Sequence, residues 1–165
     1  MRIAIKKGKT LDDIFVTRDD GTTEHSTFPK KGIVPHDAVH FFVEKALGLT
    51  NAFWGMVANG TPIEDIQEIA KAAGHASASR ATKPEPHIIE LLQAERIVEC
   101  FEADMWSDPA DNETFIAVIN SACASSHVPA PTVSSQQIEA VRSELQALLA
   151  TWKETEIGGT ITLEW

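Results

Sequence analysis

Basic charge is scarce in this chain of 165 residues: 14 lysines and arginines stand against 24 aspartates and glutamates, a formal net charge of −10. A protein this acidic lacks the cationic surface that neutralises phosphates, so nucleic-acid binding is not expected. The same shortage speaks against docking on an anionic membrane surface. Cysteine is nearly absent too. Cys100 and Cys123 have no metal-type spacing and cannot form a disulfide framework, which makes a reducing cytosol the simplest compartment. No apolar run approaches the ~20 residues that span a bilayer, and Met1 is not followed by a basic start, an apolar stretch and a cleavage site. A glycine-rich phosphate loop, a dinucleotide fingerprint and a Gly-x-Ser-x-Gly turn are all missing. What these absences leave is a soluble cytoplasmic protein, with residues 1–165 forming one domain long enough to bury its own core.

What is present divides the chain into a strand-rich opening and a helical remainder. Ile3 and Ile5 alternate with charged or small neighbours, the period-2 pattern of a half-buried strand. Asp19-Asp20-Gly21 separates two β-prone runs, 13–18 and 22–27, and reads as a hairpin turn because glycine tolerates the positive φ required there. Phe28-Pro29-Lys30-Lys31-Gly32 is expected to break the second arm and lead into a helix. His25, on that arm, reads as a half-exposed surface residue.

The first helix should run from about Pro35 to Gly48, with proline in its first turn, Asp37 at the positive end of the dipole and glycine as the C-terminal stop. Thr50 is placed to cap a short second helix carrying Phe53, Trp54, Met56 and Val57. Thr61-Pro62-Ile63-Glu64 has the form of a capping box for a third helix that ends at Gly74. Residues 75–86 are small, polar and proline-terminated, and read as an exposed loop. The fourth helix, about 87–106, is apolar on most sides and therefore central. It nevertheless carries a narrow acidic stripe of Glu95, Glu99 and Glu102. Asp111 or Asn112 can cap a fifth helix, and Ser134-x-x-Gln137 opens a sixth with Ile138, Val141, Leu145, Leu148, Leu149 and Trp152 on one stripe. After Gly158-Gly159, residues 160–165 alternate as a last strand that can return to the opening sheet. The expected fold is α+β: a small, mainly antiparallel sheet with about six helices packed against one face.

Chemically able side chains recur at helical spacing in one place, His36-Asp37-Ala38-Val39-His40. Histidines four apart rise ~6 Å along one helical face and can share a metal ion. The run resembles the His-Glu-x-x-His helix of zinc metallohydrolases, in which two histidines hold zinc and the acid acts on bound water. Here the acid is Asp37, one methylene shorter. The resemblance covers five residues and implies His36 and His40 as ligands and Asp37 as general base. A third ligand must come from elsewhere, with Glu95, Glu99 and His75 as candidates. Glu44, ~12 Å from His36 along the axis, is too far to share the same ion with it, although it can hydrogen-bond His40. On a helical wheel the histidines border the core face, with Asp37 and Glu44 just beyond it. Phe41 points away from that face, as though another surface covers it.

Two functions compete. The first, favoured on the sequence alone, is a non-catalytic protein acting through a protein partner or homo-oligomer, with Phe41, Trp54, Trp106 and the acidic surface as its contacts. The second is a small metal-dependent hydrolase, with zinc the natural divalent metal.

Overall fold

The fold is seen in a computed structural model that describes residues 1–72 and 84–165. Its elements, in chain order, are β1 (Arg2–Lys6), β2 (Leu11–Thr17), β3 (Thr23–Pro29), α1 (His36–Leu47), α2 (Phe53–Ala58), α3 (Ile63–Ala72), a 3-10 turn (Pro86–Ile88) leading into α4 (Ile89–Met105), α5 (Asn112–Ser125), α6 (Ser135–Glu154) and β4 (Thr160–Glu164). The sheet order is β3-β2-β1-β4 with every neighbouring pair antiparallel. The fold is therefore α+β, as the alternation of strands and helical stripes implies.

Register follows from the alternation. Ile3 lies between Val16 of β2 and Leu163 of β4, and Ile5 between Ile14 and Ile161, so one face of the sheet is a continuous apolar floor. That floor and side chains from all six helices form one core cluster, including Val39, Trp54, Ile66, Phe101, Phe115 and Leu145. The hairpin turn contains Gly21 at φ 85°. β3 runs on through Phe28 and Pro29, which pair with Asp12 and Leu11. The expected break at Phe28-Pro29 is therefore corrected. Pro29 is the last residue of an edge strand, where a missing N–H costs no ladder bond.

Local signals placed most helix ends. Gly48 closes α1 at φ 68° with its N–H on Glu44 O. Asp111 caps α5 by accepting from Thr114 N, and Ser134 with Gln137 makes a complete capping box for α6. Two starts differ from expectation. Ala52, not Thr50, precedes α2 and offers no side-chain cap; the Trp54 N–H instead donates to the Glu44 carboxylate, 2.8 Å away. At α3, the Ile63 N–H donates to Glu24 Oε1 of β3 at 2.6 Å. In both helices an acid from another element takes up an amide of the first turn, a role local capping rules assign to the N-cap residue. Gly55 lets α2 settle closely on the preceding loop, since a Cβ there would lie 2.1 Å from Thr50 O. The expected stop at Gly74, and residues 75–83 of the expected loop, His75 among them, fall outside the described residues.

α1 is central as well as α4. It packs against α2, α4 and α6, and Asp37, Ala38, Val39, His40, Phe41, Val43 and Glu44 are all buried. The wheel that set Asp37 and Glu44 beyond the core border is corrected: Asp37 is 9% exposed and Glu44 0%. Phe41 is indeed covered, its ring meeting Phe42 and Trp165 edge-on.

Candidate metal centre

α1 and α4 run against each other, and their polar stripes meet. The Nε2 atoms of both histidines face one carboxylate: Glu95 Oε2 lies 3.0 Å from His40 Nε2, and Glu95 Oε1 lies 3.7 Å from His36 Nε2. The other ring nitrogens are held by separate acids, His40 Nδ1 by Glu44 at 3.0 Å and His36 Nδ1 by Glu102 at 2.8 Å. The two rings meet edge-on, 4.8 Å between centroids. Glu44 spans two elements, since its second oxygen receives the Trp54 N–H while the Trp54 indole donates to Asp37 O at 2.7 Å.

One ligand atom from each of His36, His40 and Glu95 lies within 4.8 Å of the others. Two ligands held ~2.1 Å from a tetrahedral ion stand ~3.4 Å apart, so these atoms are within a small adjustment of coordination distance. A metal-binding histidine usually gives its second nitrogen to a carboxylate, which fixes the ring and its tautomer. Both histidines here have that arrangement.

Glu99 does not join them. It pairs with Arg96 at 2.9 Å and its side chain is 48% exposed. The reason is helical phase: seven residues bring Glu102 to within ~20° of Glu95, whereas four residues leave Glu99 ~40° away on the other side. The i, i+7 repeat of glutamates on α4 was the signal for Glu102, whose place against His36 the sequence reading missed. His75 lies outside the described residues.

Without a cation the cluster holds protons. Burial alone would strip the proton from His40, but the hydrogen bonds and charges of Glu44 and Glu95 outweigh it and raise its pKa to about 10. For His36, burial is likewise overcome by Glu102 and Glu95, and the pKa rises. Burial raises the pKa of Asp37 and of Glu44. A buried imidazolium between two carboxylates and a metal ion are two ways of supplying the same missing positive charge.

The cluster forms one wall of a cavity of about 320 Å³. His36, Asp37, His40 and Glu95 line that wall, while Phe28, Phe53, Ile66, Leu91 and Leu92 make the apolar sides. None of these apolar residues carried a sequence signal for a site, since each reads as ordinary core.

Of the three aromatic residues expected to meet a partner, Phe41 and Trp54 are core residues at 3% and 0% exposure and Trp106 is 69% exposed; Leu11, Phe15, Val118 and Ile157 are exposed as well, at 43–62%. Cys100 and Cys123 are free and buried, and burial pushes both thiols up to about 11, which makes them poor nucleophiles. Among the described residues no helix is long and apolar enough to cross a membrane. Comparison with known protein families, curated proteins and solved structures finds no match, so a functional reading has only the geometry of the site to stand on.

Proposed function

We propose that His36, His40 and Glu95 bind a divalent metal ion, zinc by donor type, and that the protein is a small metal-dependent hydrolase. The observation that carries this is the convergence of both Nε2 atoms on one carboxylate, with each Nδ1 braced by a separate acid. Two histidines and one glutamate are the donor set of catalytic zinc sites that leave a fourth position for water. A metal held by these residues would supply Lewis-acid activation of water, and Asp37, which also lines the cavity, would be the general base. Burial of Phe41 and Trp54 takes two of the three aromatic contacts away from the partner-binding alternative.

Elemental analysis of protein purified without a histidine tag tests the metal reading. The expected result is one equivalent of zinc or another first-row divalent metal, removed by chelator, regained on titration, and lost in the His36→Ala/His40→Ala variant. Metal-free protein that takes up no zinc, manganese, iron or nickel would leave the cluster as a protonated ion-pair network and end the proposal.

A further inference from the structure

Resting on that metal reading, we infer that the cavity receives a small acyl compound, its carbonyl or carboxylate oxygen at the metal and its hydrocarbon body against Phe28, Phe53, Ile66, Leu91 and Leu92. Two features of the cavity, its volume and its lining, select this class. At about 320 Å³ it is at the lower end of small-molecule sites and far too small for a folded partner. His36, Asp37, His40 and Glu95 gather the proposed ligand atoms and base in one place, and Lys31, Gln67 and Lys71 add polar groups from other elements. Together with the apolar surface of the phenylalanine, isoleucine and leucine side chains, they fit a ligand with a polar head and an apolar body. A sugar or nucleotide would turn hydroxyls toward phenylalanine and leucine, where each unpaired polar group is costly.

The lining also explains why the pocket is assembled from distant pieces. Phe28 comes from β3, Phe53 from α2, Ile66 from α3, and Leu91 and Leu92 from α4. Phe28 and Phe53 meet edge-on, 6.3 Å between centroids, and the Phe53 ring lies 6.2 Å from the His40 ring. An apolar group seated on Phe53 is therefore next to the proposed ligand. Lys31, which also lines the cavity, supplies a cation for a ligand that carries a carboxylate.

The test uses the full chain loaded with cobalt(II), whose visible absorption reports both metal binding and a ligand entering the coordination sphere. Acetohydroxamate, butyrohydroxamate and hexanohydroxamate serve as probes with one metal-binding head and a growing apolar body. Affinity is expected to rise roughly three- to fourfold per added methylene until the volume is filled. Ala70, on α3, lines the same cavity, and Ala70→Phe is expected to abolish the gain of the longer probes while the cobalt spectrum of the unliganded protein is unchanged. A cobalt spectrum with equal affinity for all three probes in the unaltered protein would overturn this inference and leave the metal centre standing. Absence of a cobalt spectrum would remove both.

Discussion

Two largely buried polar clusters are built on α4, and they are made of different donors. Around Arg142, one cation meets one largely buried carboxylate and one exposed one: Asp104 accepts from Nε at 2.8 Å and from Nη2 at 3.1 Å, Glu139 Oε1 lies 3.6 Å from Nη1, Asn112 Oδ1 and Ala110 O take further N–H groups, and Phe115 lies under the guanidinium. Charge and hydrogen bonds close on themselves, which is what a fastening between α4, α5 and α6 requires. Around His36 and His40, two imidazoles face Asp37, Glu44, Glu95 and Glu102. Burial raises the pKa of Asp37 and of Glu44, so how much negative charge this cluster carries depends on the protons it holds. A cavity of about 250 Å³ also borders Arg142, so a nearby hollow does not by itself distinguish a site from a fastening. The difference is the donor set: two imidazoles and a carboxylate can hold a metal ion, whereas a guanidinium has no lone pair to offer one.

The sharpest way to break this contrast is to remove Arg142. Arg142→Ala leaves Asp104 buried without its partner and is expected to cost about 3–5 kcal/mol in chemical denaturation. The metal content of the folded fraction should be unchanged, and loss of metal would merge the two clusters into one structural network.

A smaller effect is expected from pH on the metal-free protein. His36, Asp37, His40 and Glu44 all have folded-state pKa values above their ordinary ones. The folded form thus holds these protons more tightly than the unfolded chain does. For His40 the resulting stability is full below its ordinary 6.5 and is lost as pH rises toward about 10. Each such proton contributes a slope of up to ~1.4 kcal/mol per pH unit. Urea unfolding of metal-free protein at pH 6 and pH 9 should therefore show lower stability at pH 9. Added zinc should restore it, because metal replaces the protons. Equal stability at both pH values would contradict the charge assignment.

The mildest change is at the second nitrogen of His36. Glu102→Gln keeps a hydrogen-bond partner but removes a charge, and is expected to weaken metal binding about 10–100-fold with little change in fold. A competition titration with a chromophoric chelator reads this directly. An unchanged affinity would make Glu102 part of the scaffold alone.

How much of this was legible depended on how far apart the interacting residues lie. The strand alternation of Ile3 and Ile5, the Asp-Gly hairpin, the Asp111 cap and the Ser134–Gln137 box involve residues within a few positions of one another, and each formed as the pattern implies. The start of α2 did not, because its acid comes from ten residues away on α1. The start of α3 likewise borrows Glu24 from 39 residues away. A wheel for α1 separates apolar from polar directions, but it cannot say that α2 and α4 will cover the polar side. For that reason Glu44, read as an outer residue, is fully buried.

The histidine pair illustrates the same division. Residue spacing alone put His36 and His40 on one helical face and Glu95, Glu99 and Glu102 on one acidic stripe, because a helix repeats its directions every few residues. Which glutamate meets which histidine is a matter of helix phase and crossing. The His40–Glu95 and His36–Glu102 contacts join residues 55 and 66 positions apart. Only the packing of α4 on α1 could choose Glu95 and Glu102 and turn Glu99 outward to Arg96. Local sequence determined the elements and the chemistry each one carries; the tertiary structure decided which of those groups are buried together, since burial and hydrogen-bond partners are properties of neighbours the chain brings in from afar.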